Sequence, residues 1–129
     1  MAQKKILFVD DEPMISKIMV SRLKAKKYDV ESAASGLEAL EKAKTAKPDL
    51  ILLDILMPGL DGYEVCRRLK EDPLTCLIPV IMFTACQDEE FIRKALQNGA
   101  EDVINKPFVA ELLEAIQNVF EHKNEEDAA

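Results

Sequence analysis

Residues Ile6-Leu7-Phe8-Val9-Asp10-Asp11-Glu12-Pro13 run four apolar side chains straight into three carboxylates. A continuous apolar run of this length fits a strand covered on both faces, as in a parallel sheet. Charge cannot continue inside such a layer, so the strand must end where Asp10 begins. Pro13 can then open a helix, because the first turn needs no N–H from it. The octet therefore predicts a buried strand, an acidic turn at the sheet edge, and a helix.

The same alternation continues outward. Lys5–Val9 is the first strand, and the helix Pro13–Lys26 carries Ile15, Ile18, Met19 and Leu23 at helical spacing. Tyr28–Ala33 is a short strand. Ser35 and Glu38 form a capping box for the helix Gly36–Ala46, and Pro48 ends that region. Leu50–Leu53 is a buried strand. After the loop Met57-Pro58-Gly59-Leu60-Asp61-Gly62, the pair Asp61 and Glu64 caps the helix Gly62–Lys70 in the same way. Pro79–Phe83 is the fourth strand. The helix Glu89–Asn98 ends at Gly99, a natural C-cap. Asp102–Asn105 is a short fifth strand. The helix Val109–Glu121 puts Leu112, Leu113, Ile116, Val119 and Phe120 on one stripe, and a polar tail follows, expected to fray. Five strands alternating with five helices predict a doubly wound α/β domain with a parallel sheet. The chain reads as one domain, residues 1–122, with a tail at 123–129.

Composition narrows the functional classes. The chain has 129 residues, 48% hydrophobic and 32% charged, a globular balance. A formal net charge of −7 argues against direct binding of nucleic acid, whose affinity comes largely from neutralised phosphates. No apolar run is long enough for a membrane span, and Ile6–Val9 is too short for a signal-peptide core. Cys66, Cys76 and Cys86 are odd in number and form no C-x-x-C pair, and His122 is the one imidazole. That argues against a zinc site and suits a reducing, cytoplasmic setting.

In open α/β sheets ligands bind beyond the carboxyl ends of the strands. Here those ends carry Asp10, Asp11 and Glu12 after the first strand, Asp54 after the third, Thr84 after the fourth and Lys106 after the fifth. Any one of these is more often a solvated loop residue than a ligand, but four strand ends converging on one edge form a constellation. Carboxylates crowded on one rim repel, and a hard cation such as Mg²⁺, which takes oxygen ligands, relieves them. Lys106 as a point charge and the Thr84 hydroxyl as a donor would then receive a phosphoryl group.

With Val9-Asp10-Asp11-Glu12-Pro13, Leu52-Leu53-Asp54-Ile55-Leu56-Met57-Pro58-Gly59-Leu60-Asp61-Gly62, Met82-Phe83-Thr84-Ala85 and Asn105-Lys106-Pro107-Phe108, the chain resembles the response-regulator receiver domain of two-component signalling, from about Lys4 to Phe120. The resemblance implies a flavodoxin-like fold with sheet order 2-1-3-4-5. It implies that Asp54 is the phosphoacceptor and that Asp10, Asp11, Asp54 and the backbone carbonyl of Leu56 hold Mg²⁺. Thr84 and Lys106 would contact the phosphoryl group, and the Lys106–Pro107 bond would be cis. The phosphodonor would be a histidine kinase or histidine phosphotransferase. The output would be a protein partner reading the face made by the helix Glu89–Asn98, the strand Asp102–Asn105 and the last helix, with the chain a monomer or a phosphorylation-dependent dimer. Such a chain is a signalling module without a separate substrate, not an enzyme.

Some positions depart from the family pattern. Val103 stands where many receivers carry an aromatic that turns inward, so coupling is expected to weaken or take another route. Leu56 and Cys86 flank the pocket without offering an acid or base, which points to a longer-lived phosphoryl group. Ile15 is either a phosphodonor contact or core, and His122 reads as surface. The short acidic tail favours a stand-alone regulator; the alternative is a receiver cut from a regulator with a DNA-binding or enzymatic output. A haloacid-dehalogenase-type phosphatase would need a second acid where Leu56 stands. A flavin or nucleotide domain would need a Gly- or hydroxyl-rich first loop, and Asp10-Asp11-Glu12-Pro13 would repel phosphate unless a metal intervened.

Overall fold

The computed structural model describes residues 3–85, 88–106 and 108–128, with residues 122–128 described by backbone alone. The elements follow in strict alternation: β1 (Lys5–Val9), α1 (Pro13–Ala25), β2 (Asp29–Ala33), α2 (Gly36–Ala46), β3 (Leu50–Leu53), α3 (Gly62–Glu71), β4 (Val80–Thr84), α4 (Glu89–Gln97), β5 (Asp102–Asn105) and α5 (Val109–Ala128). All pairings are parallel and the sheet order is β2-β1-β3-β4-β5. The chain steps from β1 outward to β2, then crosses back to β3 on the other side. The order therefore reverses between β1 and β3, and a crevice opens beyond their carboxyl ends.

Alternating strand side chains feed two cores. Leu7, Val9, Ile51, Leu53, Val80 and Met82 pack with Ala39 and Ala43 of α2, Val65 and Leu69 of α3, and Ala95 of α4. Ile6, Phe8, Leu50, Leu52, Ile81 and Phe83 pack with Met19 and Leu23 of α1 and Leu112, Ile116 and Phe120 of α5. Each fully buried aliphatic or aromatic side chain contributes about 1.5–3 kcal/mol relative to exposure. This double burial is why β1, β3 and β4 read as apolar runs, while edge strand β2 buries only Val30 and Ala33.

Several boundaries and local details differ from the sequence reading. Thr84 is the last residue of β4, not the first beyond it, because its carbonyl accepts from Lys106 N at 2.8 Å and extends the ladder. Ser35 caps α2 as expected, accepting from Glu38 N at 3.2 Å, but Glu38 reaches back to Ala34 N, one residue before the cap. Asp61 likewise accepts from Glu64 N, whereas the Glu64 carboxylate turns to Arg67 and Arg68. Ile18 is 48% exposed, not core: it lies one residue, about 100°, from buried Met19 on the helix wheel. α5 runs on to Ala128 because residues 121–128 contain neither Gly nor Pro to stop it. Gly99 does end α4's turn, with φ of 100°. Cys86, the Lys106–Pro107 peptide bond and the His122 side chain fall outside the described residues.

Candidate phosphoryl and metal site

β1 and β3 lie side by side, and the ladder continues one residue past each. Asp10 N donates to Ala33 O and Asp54 N donates to Val9 O, both at 3.1 Å. These bonds fix the two aspartates at the crevice. Each carboxylate is then aimed by an N–H two residues on: Glu12 N to Asp10 Oδ1 at 3.0 Å, and Leu56 N to Asp54 Oδ1 at 3.3 Å. This local turn bond is characteristic of Asp. It engages one oxygen of each residue and leaves Oδ2 turned to the crevice.

Lys106 meets both. Its Nζ lies 2.5 Å from Asp10 Oδ2 and 3.1 Å from Asp54 Oδ2. Asp10 is 1% exposed and Asp54 7%, so two carboxylates share one ammonium in a poorly hydrated place. Burial, the largest single influence, pulls the Lys106 pKa down. The hydrogen bond to Asp10, the charge of Asp54 and the remaining contacts with both together outweigh it, and the ammonium is held above its ordinary value. Lys106 Nζ also lies 5.9 Å from the centroid of the Phe83 ring.

Asp11 completes the acidic group. One carboxylate oxygen from each of Asp10, Asp11 and Asp54 can be chosen so that all lie within 4.8 Å of one another, close enough to hold a metal ion. The donors are hard oxygens with no thiol or imidazole among them, which fits Mg²⁺ and not a zinc-type ion. Three carboxylates against one lysine also leave excess negative charge, so the residues present fit a divalent cation.

The structure places Asp10, Asp11, Asp54, Thr84 and Lys106 together at the carboxyl ends of four strands. Thr84 is fully buried. Leu56 follows Asp54 with its side chain 56% exposed, adding no acid or base beside it. Val103 is half-buried against the core shared with α3 and α4. Ile15 is partly buried against the core shared by α1 and α5, and Met14 and Ile18 are exposed apolar residues of α1. Sequence reasoning missed Phe83 beside Lys106, the two aiming N–H groups, and Asn105, whose Oδ1 is buried with no hydrogen-bond partner among the described residues. The Asx turns were in principle legible, because Asp at a strand end followed by a sharp loop is their usual setting. A groove of about 630 Å³ borders Asp10 between α1, β2 and α2, to the side of the acidic group.

Fold and rim define the class: a doubly wound parallel α/β domain with an acidic, lysine-countered site at its switch point. Residues 6–118 match the family model of the response regulator receiver domain, and the chain belongs to that family. The alkaline phosphatase synthesis transcriptional regulatory protein PhoP of Bacillus subtilis is 49% identical over 106 residues, covering 81% of this chain and 43% of that protein. Response regulator PleD of Caulobacter vibrioides is 43% identical over 103 residues, covering 80% of this chain and 23% of that protein. The chain spans about half or less of the length of these curated relatives. Among solved structures, the chemotaxis protein CheY4 of Vibrio cholerae superposes with a TM-score of 0.86 at 34% identity, covering 92% of this chain and 99% of that one. The chain is thus a receiver domain of two-component signalling, a signalling module. Among the described residues no helix is long and apolar enough to cross a membrane.

Proposed function

We propose that this receiver accepts a phosphoryl group on Asp54 from a phosphohistidine of a histidine kinase or histidine phosphotransferase. An Asp54 oxygen attacks phosphorus, the P–N bond breaks, and its electron pair leaves with the imidazole nitrogen, which takes a proton from solvent. Little is needed from the protein beyond alignment and charge neutralisation. Lys106 supplies a cation at the attacking oxygen, and Thr84 at the end of β4 donates to a phosphoryl oxygen. Asp10, Asp11, Asp54 and the Leu56 carbonyl would hold Mg²⁺, which would neutralise charge on the phosphoryl oxygens. The observation that carries this reading is Lys106 bridging Asp10 and Asp54 at the switch point. The module acts from the cytoplasm on a protein partner, and the net charge of −7 supports a protein over nucleic acid as the direct contact of these residues. The domain is taken as residues 1–122 with a tail at 123–129.

The test is amide NMR with Mg²⁺ and then beryllofluoride, alongside phosphotransfer from a labelled phosphohistidine donor. Shifts at Asp11, Asp54, Thr84 and Lys106 are expected, with label on the wild type and none on Asp54→Ala. Label persisting on Asp54→Ala overturns the assignment. Shifts that spread to Val103 and α4 mean that the switch works without an aromatic; shifts confined to the pocket mean that the signal leaves by another route.

A further inference from the structure

The groove of about 630 Å³ beside Asp10 is not used by the phosphoryl chemistry. It runs along edge strand β2, with α1 as one wall and α2 as the other. Between the walls lie Ser32 and Ala33 of β2 and Ala34 just past it. Both walls are fastened to that strand. Lys42 of α2 donates to Ser32 O at 2.6 Å, and Ala34 N donates to Glu38 Oε2 at 3.1 Å. On the α1 side, Ser16 Oγ donates to Asp10 O at 3.4 Å, and Asp10 N donates to Ala33 O at 3.1 Å. A cleft whose walls are already fixed loses little freedom when a ligand enters. Its volume falls within the range of small-molecule sites, about 300–1,000 Å³.

Charge says what suits it. Five charged side chains line the groove, and three are already answered: Glu38 lies 3.1 Å from Lys42, and Asp10 is held by Lys106. Lys17 and Lys24 form no ion pair among the described residues. Lys26, Lys27 and Lys47 are unpaired as well, but they stand at the ends of α1 and α2, outside the groove. What singles out Lys17 and Lys24 is the wall they share. Lys17, Ser21 and Lys24 follow at steps of four and three, on one stripe of α1. Seven residues put the two lysines about 10 Å apart along the axis, and their flexible four-carbon stems let both ammonium groups reach a diphosphate lying over Ser21. Val20, Ala33 and Ala34 are small, uncharged and apolar, a seat for the organic body of such a ligand.

We infer that the groove between α1, β2 and α2 binds a small organic diphosphate, its phosphates held by Lys17 and Lys24 and its organic body seated on Val20, Ala33 and Ala34. This goes beyond the phosphoacceptor reading, because the side chains that hold the ligand take no part in placing a phosphoryl group on Asp54.

The experiment uses the full chain, labelled with ¹⁵N and kept free of Mg²⁺ with EDTA, and titrates it with ADP, pyrophosphate and adenosine. Removing the metal keeps the acidic rim from recruiting a metal-bound nucleotide. ADP is expected to shift Lys17, Val20, Ser21, Lys24, Ala33 and Ala34, pyrophosphate to shift the same helix more weakly, and adenosine to shift little. The exposed double variant K17Q/K24Q is expected to lose roughly tenfold in ADP affinity, whereas K26Q/K27Q, which removes the same charge outside the groove, should stay within about twofold of the wild type. ADP shifts that map to Thr84 and Lys106 instead, equal losses in the two double variants, no shifts at millimolar ADP, or tighter binding of a Glu-rich peptide on the same residues would each overturn the inference. Mg²⁺ and beryllofluoride added to a separate sample report on Asp54 and Lys106, so this inference and the phosphoacceptor reading fail independently.

Discussion

Replacing Lys106 with Met keeps the length of the side chain and removes its charge. Asp10 and Asp54 then face each other nearly dry, with no cation between their Oδ2 atoms. At an effective dielectric constant of about 20, contacts of 2.5 and 3.1 Å are each worth roughly 5–7 kcal/mol before desolvation is subtracted. Breaking a buried pair by removing one partner costs about 3–5 kcal/mol in practice. The charge penalty of Lys106→Met should therefore be several kcal/mol. Mg²⁺ should stabilise the variant more than the wild type, because the ion takes over the missing charge. Urea unfolding of both proteins, with and without Mg²⁺, measures this. A penalty that Mg²⁺ leaves unchanged would refute the reasoning, because it would mean that Lys106 acts through packing and not by holding two carboxylates.

Two further substitutions or treatments probe the support of the site. A methyl group on Gly62 would come within 2.7 Å of Ile55 Cα and closer still to the Asp54 carbonyl oxygen, both backbone atoms that cannot rotate away. Gly62→Ala should cost about 1–3 kcal/mol of stability and weaken Mg²⁺ binding by moving the β3–α3 turn, checked by denaturation and by metal titration in the same preparation. Burial pushes the Cys66 thiol up to about 11, only partly offset by the charge of Lys70. The unfolded chain therefore loses this proton first, and up to about 3 kcal/mol of stability present below pH 9 should fall away between pH 9 and 11. In the folded protein at pH 8, peptide mapping after iodoacetamide should find Cys66 unmodified until urea is added; prompt modification would contradict its burial.

The strands were legible because two-sided burial leaves a run of apolar residues that only a charge or a turn can end. That is why Ile6–Val9 and Leu50–Leu53 could be read directly. Thr84 was harder, since a hydroxyl at a strand end does not announce whether the ladder continues past it; its carbonyl decides, by accepting from Lys106 N. The α1 stripe was misread at Ile18 because Met14, Ile15, Ile18 and Met19 are all apolar, and composition cannot say which of two adjacent faces meets the sheet. The length of α5 was invisible for the opposite reason: Glu121-His122-Lys123-Asn124-Glu125-Glu126-Asp127-Ala128 carries no hydrophobic pattern to extend the helix reading.

The site was legible in membership but not in arrangement. Sequence can put Asp10, Asp54 and Lys106 at strand ends, yet it cannot say that one ammonium would serve two carboxylates. That follows from the sheet order, which brings β1 and β3 together and puts β4 and then β5 on the far side of β3. Lys106 must reach back past β4 to meet both aspartates. Any charge arriving on Asp54 therefore competes for a lysine that Asp10 already shares, and any cation entering beside Asp11 relieves that competition. The apolar run that ends in carboxylates is thus one arrangement with two ends: β1 anchors the charge in the fold, and the charge keeps the crevice open to a cation.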